Sequence, residues 1–370
     1  MRFRKRVKVF PGFYLNFSNS GISSTIGIKG ASINFSKKGT YLNTGIPGTG
    51  IYNRQKIGGE QNGANSNQNI PSQNIIIENP SALNGEIKSV DAEQLTSTSF
   101  IEFKNALVEV YADKVELVKE IEQTIKDISS AKFNNIIACI FLIGFFVKSF
   151  KIKIEEKEEY LIDLQNQLKN SFINIDLTFE NAFEEAYLNV LNNYKNLLTS
   201  EIIWDITSSV QQDMKAARSS ASSLITRQPV KFKFDNIDII KSIYPAFHFE
   251  NKNGGDLYIY PAFVVILSGK KEFGIVDIKD FELMFSQQRF LEEGKIPSDT
   301  KIIDKTWAKV NKNGTPDKRF TNNYQIPIVR YGEMNIKSNA GLNESYAFSN
   351  FEKSEDFAIS FTNYQNMLKK

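Results

Sequence analysis

The sequence is short of the residues that most catalytic and metal sites need. Among 370 residues there is one cysteine, Cys139, and one histidine, His248. An intrachain disulfide is therefore excluded, and so are zinc sites built from several Cys and His side chains. A Ser-His or Cys-His triad would have to use His248 itself. We expect Cys139 to be a buried apolar residue in a reducing, cytoplasmic setting, and His248 to be structural or exposed rather than catalytic.

Negative charge is missing from the N-terminal part of the chain. Residues 1–57 contain ten Lys and Arg and no Asp or Glu, although the net charge of the whole chain is only +3. This uneven charge predicts an anionic partner, either a nucleic acid or an anionic membrane surface. The alternative is a small β unit that uses its basic residues only for solubility. The candidate anion-binding residues are Arg2, Arg4, Lys5, Arg6, Lys8, Lys29, Lys37, Lys38 and Arg54.

Long apolar runs are also absent. The most apolar stretch, residues 136–147, would rise about 18 Å as a helix, whereas the core of a bilayer is about 30 Å thick. A transmembrane span is therefore disfavoured, and we expect a helix end or turn buried under the C-terminal part. The alternative is a tip that dips into a membrane interface, which would make the protein membrane-associated. The candidate membrane-contact residues are Phe141, Leu142, Phe145 and Phe146.

The first residues contain a short internal repeat. Asn16-Phe17-Ser18 recurs as Asn34-Phe35-Ser36, and the glycines that follow each copy keep the same spacing. Apolar residues alternate with polar ones between Gly-containing turns, which is the pattern of short strands. The sequence therefore predicts a Gly-rich β-meander over residues 1–57, built from a duplicated hairpin.

The order of the Gly, Ser and Pro positions carries a family resemblance. The matching motifs are Pro11-Gly12, Asn16-Phe17-Ser18, Ser20-Gly21, Gly30-Ala31-Ser32 and Gly45-Ile46-Pro47-Gly48-Thr49-Gly50. Residues 1–54 resemble a short bacterial N-terminal domain, the domain of unknown function forty-two thirty-six. The resemblance implies a bacterial origin and a β-rich module. It implies no chemistry, because the family has no established activity. The remainder resembles only uncharacterised bacterial proteins.

The middle of the chain changes from polar to heptad-patterned sequence. Residues 58–97 are polar and of low complexity, which predicts a disordered, flexible linker. Residues 98–177 predict an antiparallel helical hairpin with an apolar tip, able to self-associate or to bind a protein partner. Its first helix has a heptad stripe with one polar position, formed by Leu107, Tyr111, Lys114, Val118, Ile121, Ile125 and Ile128.

Residues 178–370 predict one mixed α+β domain. The pattern favours a helix over 179–197, helical structure from 205 to 223, several strands over 230–278, and a short helix over 281–290. The chain as a whole is therefore expected to be an α+β protein with several domains.

An enzymatic function has one weak candidate. Asp256, Asp277 and Lys279 have the residue types of a Mg²⁺-dependent nuclease, in which two carboxylates hold the metal beside a lysine. The motif is short and common by chance. Residues 307–320 combine Trp, Lys, Arg and Asn and are typical of a binding loop without a nucleophile-base pair. No cofactor or metal site is assigned. The leading interpretation is a non-enzymatic binding or scaffold protein.

Overall fold

The computed structural model describes residues 85–140, 144–178, 181–269 and 272–369, together with the backbone of six N-terminal strands. These strands are β1 (Phe3–Phe10), β2 (Phe13–Asn19), β3 (Ser24–Ile28), β4 (Ala31–Ser36), β5 (Gly39–Gly45) and β6 (Tyr52–Lys56). They lie where the alternation of apolar residues predicts them. The strands β3, β4, β5 and β6 form an antiparallel four-stranded sheet of their own.

The hairpin of β1 and β2 belongs to a different sheet. Strand β2 pairs antiparallel with β8 (Ile173–Thr178), and β8 pairs parallel with β12 (Ile240–Ser242). The order β1-β2-β8-β12 defines the mixed sheet. The expected single meander is therefore divided between two sheets, because β2 finds its second partner more than a hundred residues further along the chain.

The described residues of the chain contain five α-helices. They are α1 (Ile101–Ile140), α2 (Gly144–Lys169), α3 (Asn181–Leu197), α4 (Met214–Ala217) and α5 (Phe351–Leu368). The first two run antiparallel, since Glu120 of α1 accepts the hydroxyl of Tyr160 in α2, whereas Asp127, further along α1, pairs at 2.7 Å with Lys157, which lies nearer the start of α2. The periodicity located α1, α2 and α3, but the hairpin expected over 98–177 extends too far, because residues 173–177 lie in strand β8.

The remaining strands form two further sheets. They are β7 (Gly85–Glu86), β9 (Ile203–Gln211), β10 (Ser223–Val230), β11 (Phe232–Asp235), β13 (Ala246–Phe249), β14 (Asp256–Ile259), β15 (Phe263–Ser268), β16 (Glu272–Asp277), β17 (Phe281–Leu291), β18 (Lys301–Trp307), β19 (Gln325–Ser338) and β20 (Asn343–Phe348). The short sheet has the order β11-β13-β14-β15-β16. The long sheet has the order β10-β9-β20-β19-β17, with β7 paired to β9 and β18 paired to β19.

Two segments that were expected to be helical are strands. Residues 205–223 contain most of β9, the single turn α4 and the start of β10, and residues 281–290 lie in β17. The first five residues of β9 are buried in succession, so both faces of that strand are covered and no alternation shows. In β17 the apolar residues Phe281, Leu283 and Phe285 do alternate, which is the period of a strand.

The core surrounds the short sheet. On one face, Tyr194 of α3 packs on Phe247 with ring centroids 4.4 Å apart, and Phe357 of α5 lies 5.5 Å from Tyr194. On the other face, Phe103 of α1 packs on Phe263 at 5.2 Å. The first turns of α1 therefore share the core of residues 178–370, across the boundary predicted at residue 177. Each fully buried ring of this kind stabilises the fold by about 2–3 kcal/mol.

The last part of the predicted linker is packed rather than flexible. Ile87, Ala92 and Leu95 are buried, and Ser97 donates its backbone N–H to the carbonyl of Ile275 at 2.8 Å. Gly274 of β16 makes this contact possible, because a Cβ there would lie 2.6 Å from the carbonyl oxygens of Ala92 and Leu95. The prediction of a disordered linker is therefore wrong for residues 85–97. Residues 58–84 lie outside the described part of the chain.

We predict that Gly274→Ala destabilises the protein by about 3 kcal/mol, because the added methyl group displaces residues 92–97 from the short sheet. Urea denaturation measures the loss. The matched control is Gly294→Ala, where the new Cβ would meet only the Glu292 carboxylate, at 3.2 Å. Equal unfolding free energies of the two variants would contradict the described packing.

Candidate functional site

Four of the ten basic residues of the N-terminal part lie on one strand. Arg4, Lys5, Arg6 and Lys8 lie on β1, directly after Arg2, and β1 is the outer strand of the mixed sheet. Arg54 lies on β6, in the other N-terminal sheet. Lys29, Lys37 and Lys38 lie outside the described residues. The backbone therefore places four predicted anion-binding residues at a sheet edge.

The predicted nuclease residues are not brought together. Asp256 starts β14 opposite Leu267 of β15, whereas Asp277 ends β16 opposite Phe263 of β15. The two positions on β15 are four residues apart, which is about 13 Å along a strand. In the part of the chain that is described, no group of three His, Cys, Asp or Glu side chains is arranged to hold a metal ion. A shared Mg²⁺ between Asp256 and Asp277 is therefore contradicted by the register.

The carboxylates of Asp256 and Asp277 each have other partners. Asp256 lies 2.9 Å from Nε2 of His248, whose ring stacks on Tyr258 at 4.3 Å. Asp277 accepts the backbone N–H of Lys279 at 2.9 Å, and desolvation raises the pKa of Asp277. His248 is buried on the face opposite its neighbours Phe247 and Phe249. These contacts fasten strand ends and leave no open site.

The apolar tip is only partly described. Phe141 and Leu142, and the side chains of Phe145, Phe146 and Cys139, lie outside the described residues. Ile136, Ile137 and Ile140 at the end of α1 are 57%, 38% and 69% exposed, so the expected burial of this stretch is wrong for these three residues. No helix in the described ranges is both long enough and apolar enough to span a bilayer.

A buried polar cluster joins the long sheet to the turn that precedes β14. It consists of Ser89, Asp205, Asn251, Glu344 and Tyr346. Ser89 donates its hydroxyl to Glu344, and the backbone N–H of Lys252 donates to Asp205 at 2.8 Å. Asp205 lies opposite Tyr346 in the sheet, two residues from Glu344 on the same face. The turn is thereby attached to the sheet through two carboxylates.

These carboxylates have unusual acidities. Desolvation raises the pKa of Glu344 to about 7, and the negative charge of Asp205 contributes to the rise. Desolvation also raises the pKa of Asp205. Hydrogen bonds from Ser89 and Asn251 offset only part of the rise in the pKa of Glu344. Because both acidic residues are fully buried, the cluster is a structural joint rather than a site that a substrate reaches.

Two partly exposed arginines share one buried carboxylate in the loop that follows β18. The side chain of Asp317 is only 2% exposed, and it accepts Nε and Nη2 of Arg319 at 2.9 and 2.7 Å. It also accepts Nη1 of Arg218 at 3.2 Å. The hydrogen bonds from Arg319 are the main reason why the pKa of Asp317 falls to about 2. A buried anion therefore holds two guanidinium groups, which we call the arginine pair.

Backbone contacts fix this arrangement. Arg218 ends α4 in the left-handed conformation, with φ of 51°, and its carbonyl accepts the N–H of Val310 at 3.0 Å. The N–H of Asp317 donates to the carbonyl of Lys309, also at 3.0 Å. An open concavity beside the pair is lined by Asn311, Thr315, Pro316, Asp317, Lys318 and Arg319. The sequence pointed to the loop but missed Arg218, which is 99 residues from Asp317.

Comparison with known proteins identifies only the N-terminal part. Residues 1–54 match the family described as Protein of unknown function (DUF4236). The predicted resemblance is thus confirmed, and it covers the six N-terminal strands up to Arg54. No curated protein and no solved structure matches the chain. Because the description of the family names no activity, a functional proposal has to rest on charge and geometry.

The polar cluster predicts a pH-dependent stability. The raised pKa of Glu344 means that the folded protein prefers the protonated carboxyl, so this contribution is complete below the ordinary pKa of 4.5 and is lost as the pH rises to about 7. From about pH 5 to pH 8 the unfolding free energy should fall by about 3 kcal/mol more in the natural protein than in Glu344→Gln.

Urea denaturation at both pH values measures this difference. The control is Asp356→Asn, which removes an exposed carboxylate from α5 and should leave the pH dependence unchanged. If Glu344→Gln and the natural protein lose stability in parallel, Glu344 is not the group that titrates.

Proposed function

We propose that this protein is a non-enzymatic binding protein whose basic N-terminal strand contacts an anionic surface, either a nucleic acid or an anionic membrane. The observation that carries the proposal is the position of β1. It is the outer strand of the mixed sheet, it contains Arg4, Lys5, Arg6 and Lys8, and no acidic residue lies within residues 1–57.

The position matters because an edge strand has no neighbour on one side. Basic side chains along it approach a polyanion without first displacing another strand, and each neutralised phosphate releases condensed counterions. The pairing of β2 with β8 links this edge to the segment between α2 and α3. A ligand bound at β1 is thereby held against the main body of the protein rather than at the end of a free tether.

The second part of the proposal assigns self-association to the helical hairpin. The heptad stripe of α1 begins with Leu107, which is in the core, and continues to Val118 and Ile125, which are exposed. Ile136 and Ile140 extend the exposed stripe toward the tip. Two copies that pack these stripes together would form a helical bundle of the coiled-coil type. Self-association would also place two basic strands on one ligand, which raises avidity.

The charge on β1 is tested by the variant Arg2/Arg4/Arg6→Glu. We expect its affinity for duplex DNA, for anionic vesicles or for both to fall at least about tenfold, and the salt dependence of the remaining binding to weaken. The control Lys195/Lys231/Lys369→Glu makes the same change in net charge at exposed positions elsewhere. Equal, salt-insensitive binding by the variant, the control and the parent would remove the proposal.

The stripe on α1 is tested by Ile125→Asp with Ile136→Asp. Sedimentation velocity should show self-association by the natural protein and a monomer for the variant, because burying two carboxylates in a helix interface is costly. Ser130→Asp with Asn134→Asp adds the same charges at exposed positions off the stripe. A natural protein that is monomeric at about 100 μM would rule out self-association through the hairpin at any physiological level.

A further inference from the structure

Both side chains of the arginine pair are accessible to solvent. Arg319 is 68% exposed and Arg218 is 39% exposed, although the carboxylate that holds them is almost completely buried. A buried carboxylate restricts the rotamers of both side chains, so less conformational entropy is lost when they bind a ligand. The pair is therefore preorganised, whereas ordinary surface arginines are not.

Several N–H donors of the arginine pair remain available to a ligand. A guanidinium group has five N–H bonds, and Asp317 receives two from Arg319 and one from Arg218. In Arg319 the Nε and Nη2 edge meets the carboxylate, so its Nη1 group points away from Asp317. The two guanidinium groups also carry one more charge than the single carboxylate neutralises. The surplus donors and the surplus charge both favour an oxyanion ligand.

The neighbouring loop adds charge of the same sign. Residues 305–320 contain five Lys and Arg against one acidic residue, Asp317. Lys312 and Lys318 are exposed, and Lys318 lines the concavity beside Arg319. An extended polyanion is therefore favoured over a single small anion, because further cations lie on the same loop as the arginine pair.

Exposed rings distinguish between kinds of polyanion. Phe320 and Tyr324 are 38% and 56% exposed, and the guanidinium carbon of Arg218 lies 5.5 Å from the Phe320 ring centroid. Exposed aromatic rings near basic side chains are surfaces on which unpaired bases stack. A DNA duplex hides the faces of its bases, and a flat bilayer does not follow a polar concavity. A flexible single strand of nucleic acid exposes the faces of its bases and can follow the concavity.

We propose that the arginine pair binds a backbone phosphate of a single-stranded nucleic acid, and that Phe320 and Tyr324 stack on its bases. This site is separate from β1, so it does not depend on the function proposed for that strand. Lys318 beside the concavity and Lys312 on the same loop hold the flanking phosphates.

The test is fluorescence anisotropy of the full chain with a labelled oligothymidine of about 20 nucleotides. We expect Arg319→Glu with Lys318→Glu to bind at least about tenfold more weakly, and the slope of log affinity against log salt to fall by about two. The control Lys195→Glu with Lys231→Glu makes the same change in net charge at exposed positions elsewhere and should bind like the parent. Tyr324→Ala should weaken binding of the single strand several-fold and leave duplex binding unchanged.

A second variant controls for a folding defect, because Arg319→Glu removes hydrogen bonds to the buried Asp317. Lys312→Glu with Lys318→Glu leaves the contacts of Asp317 with both arginines intact, and it should also weaken binding. Equal affinities of the loop variants and the control would overturn the proposal, and so would binding of anionic vesicles without binding of the oligonucleotide. If Arg2/Arg4/Arg6→Glu abolishes binding while the loop variants keep it, the inference fails and the function proposed for β1 stands. The reverse result supports the inference, and the function proposed for β1 is then decided by the measurements with duplex DNA and anionic vesicles.

Discussion

The fold depends on aromatic side chains that cover both faces of the short sheet. Tyr194, Phe247 and Phe357 fill one face, and Phe263 with Phe100 and Phe103 fills the other. A sheet covered on both sides needs elements from distant parts of the sequence, and here they are the start of α1 and the helices α3 and α5. Residues 85–97 follow the same constraint, because they pack where Gly274 leaves room. The long sheet joins the same core through Tyr346 and Phe348, which both pack on Phe232 of the short sheet.

The polar cluster is the point at which burial opposes ionisation. A fully buried carboxylate without a cation is costly, and here two lie on adjacent strands. Donors from Ser89 and from the backbone of Lys252 offset part of the cost, and the rest is relieved when Glu344 is protonated. The arginine pair solves the same problem differently, since Asp317 is ionised and held by two guanidinium groups. One acid is thus neutralised by a proton and the other by cations, and only the second arrangement reaches the surface.

Sequence reasoning found the amphipathic helices, the N-terminal strands and the strands within residues 230–278, and it missed β9 and β17. The amphipathic helices α1, α2 and α3 and the alternating N-terminal strands were predictable from their period. Strand β9 was not, because its buried residues are continuous. The pairing of β2 with β8 and the contact of Arg218 with Asp317 join residues far apart in the chain, and neither leaves a local pattern. Composition made residues 307–320 a candidate binding loop, whereas the role of Asp317 in holding two arginines was visible only in three dimensions.

The distribution of charge restricts where a polyanion can approach. Residues 1–57 carry about +10, so the other residues together carry about −7. Within that acidic remainder, residues 305–320 are an exception, with five basic residues and one acidic residue that is already bound to two arginines. The two proposed sites for an extended anionic ligand, the edge strand β1 and the arginine pair, both lie in basic segments of the chain. A ligand that contacts both sites is oriented as well as bound, because two separate contacts fix its direction.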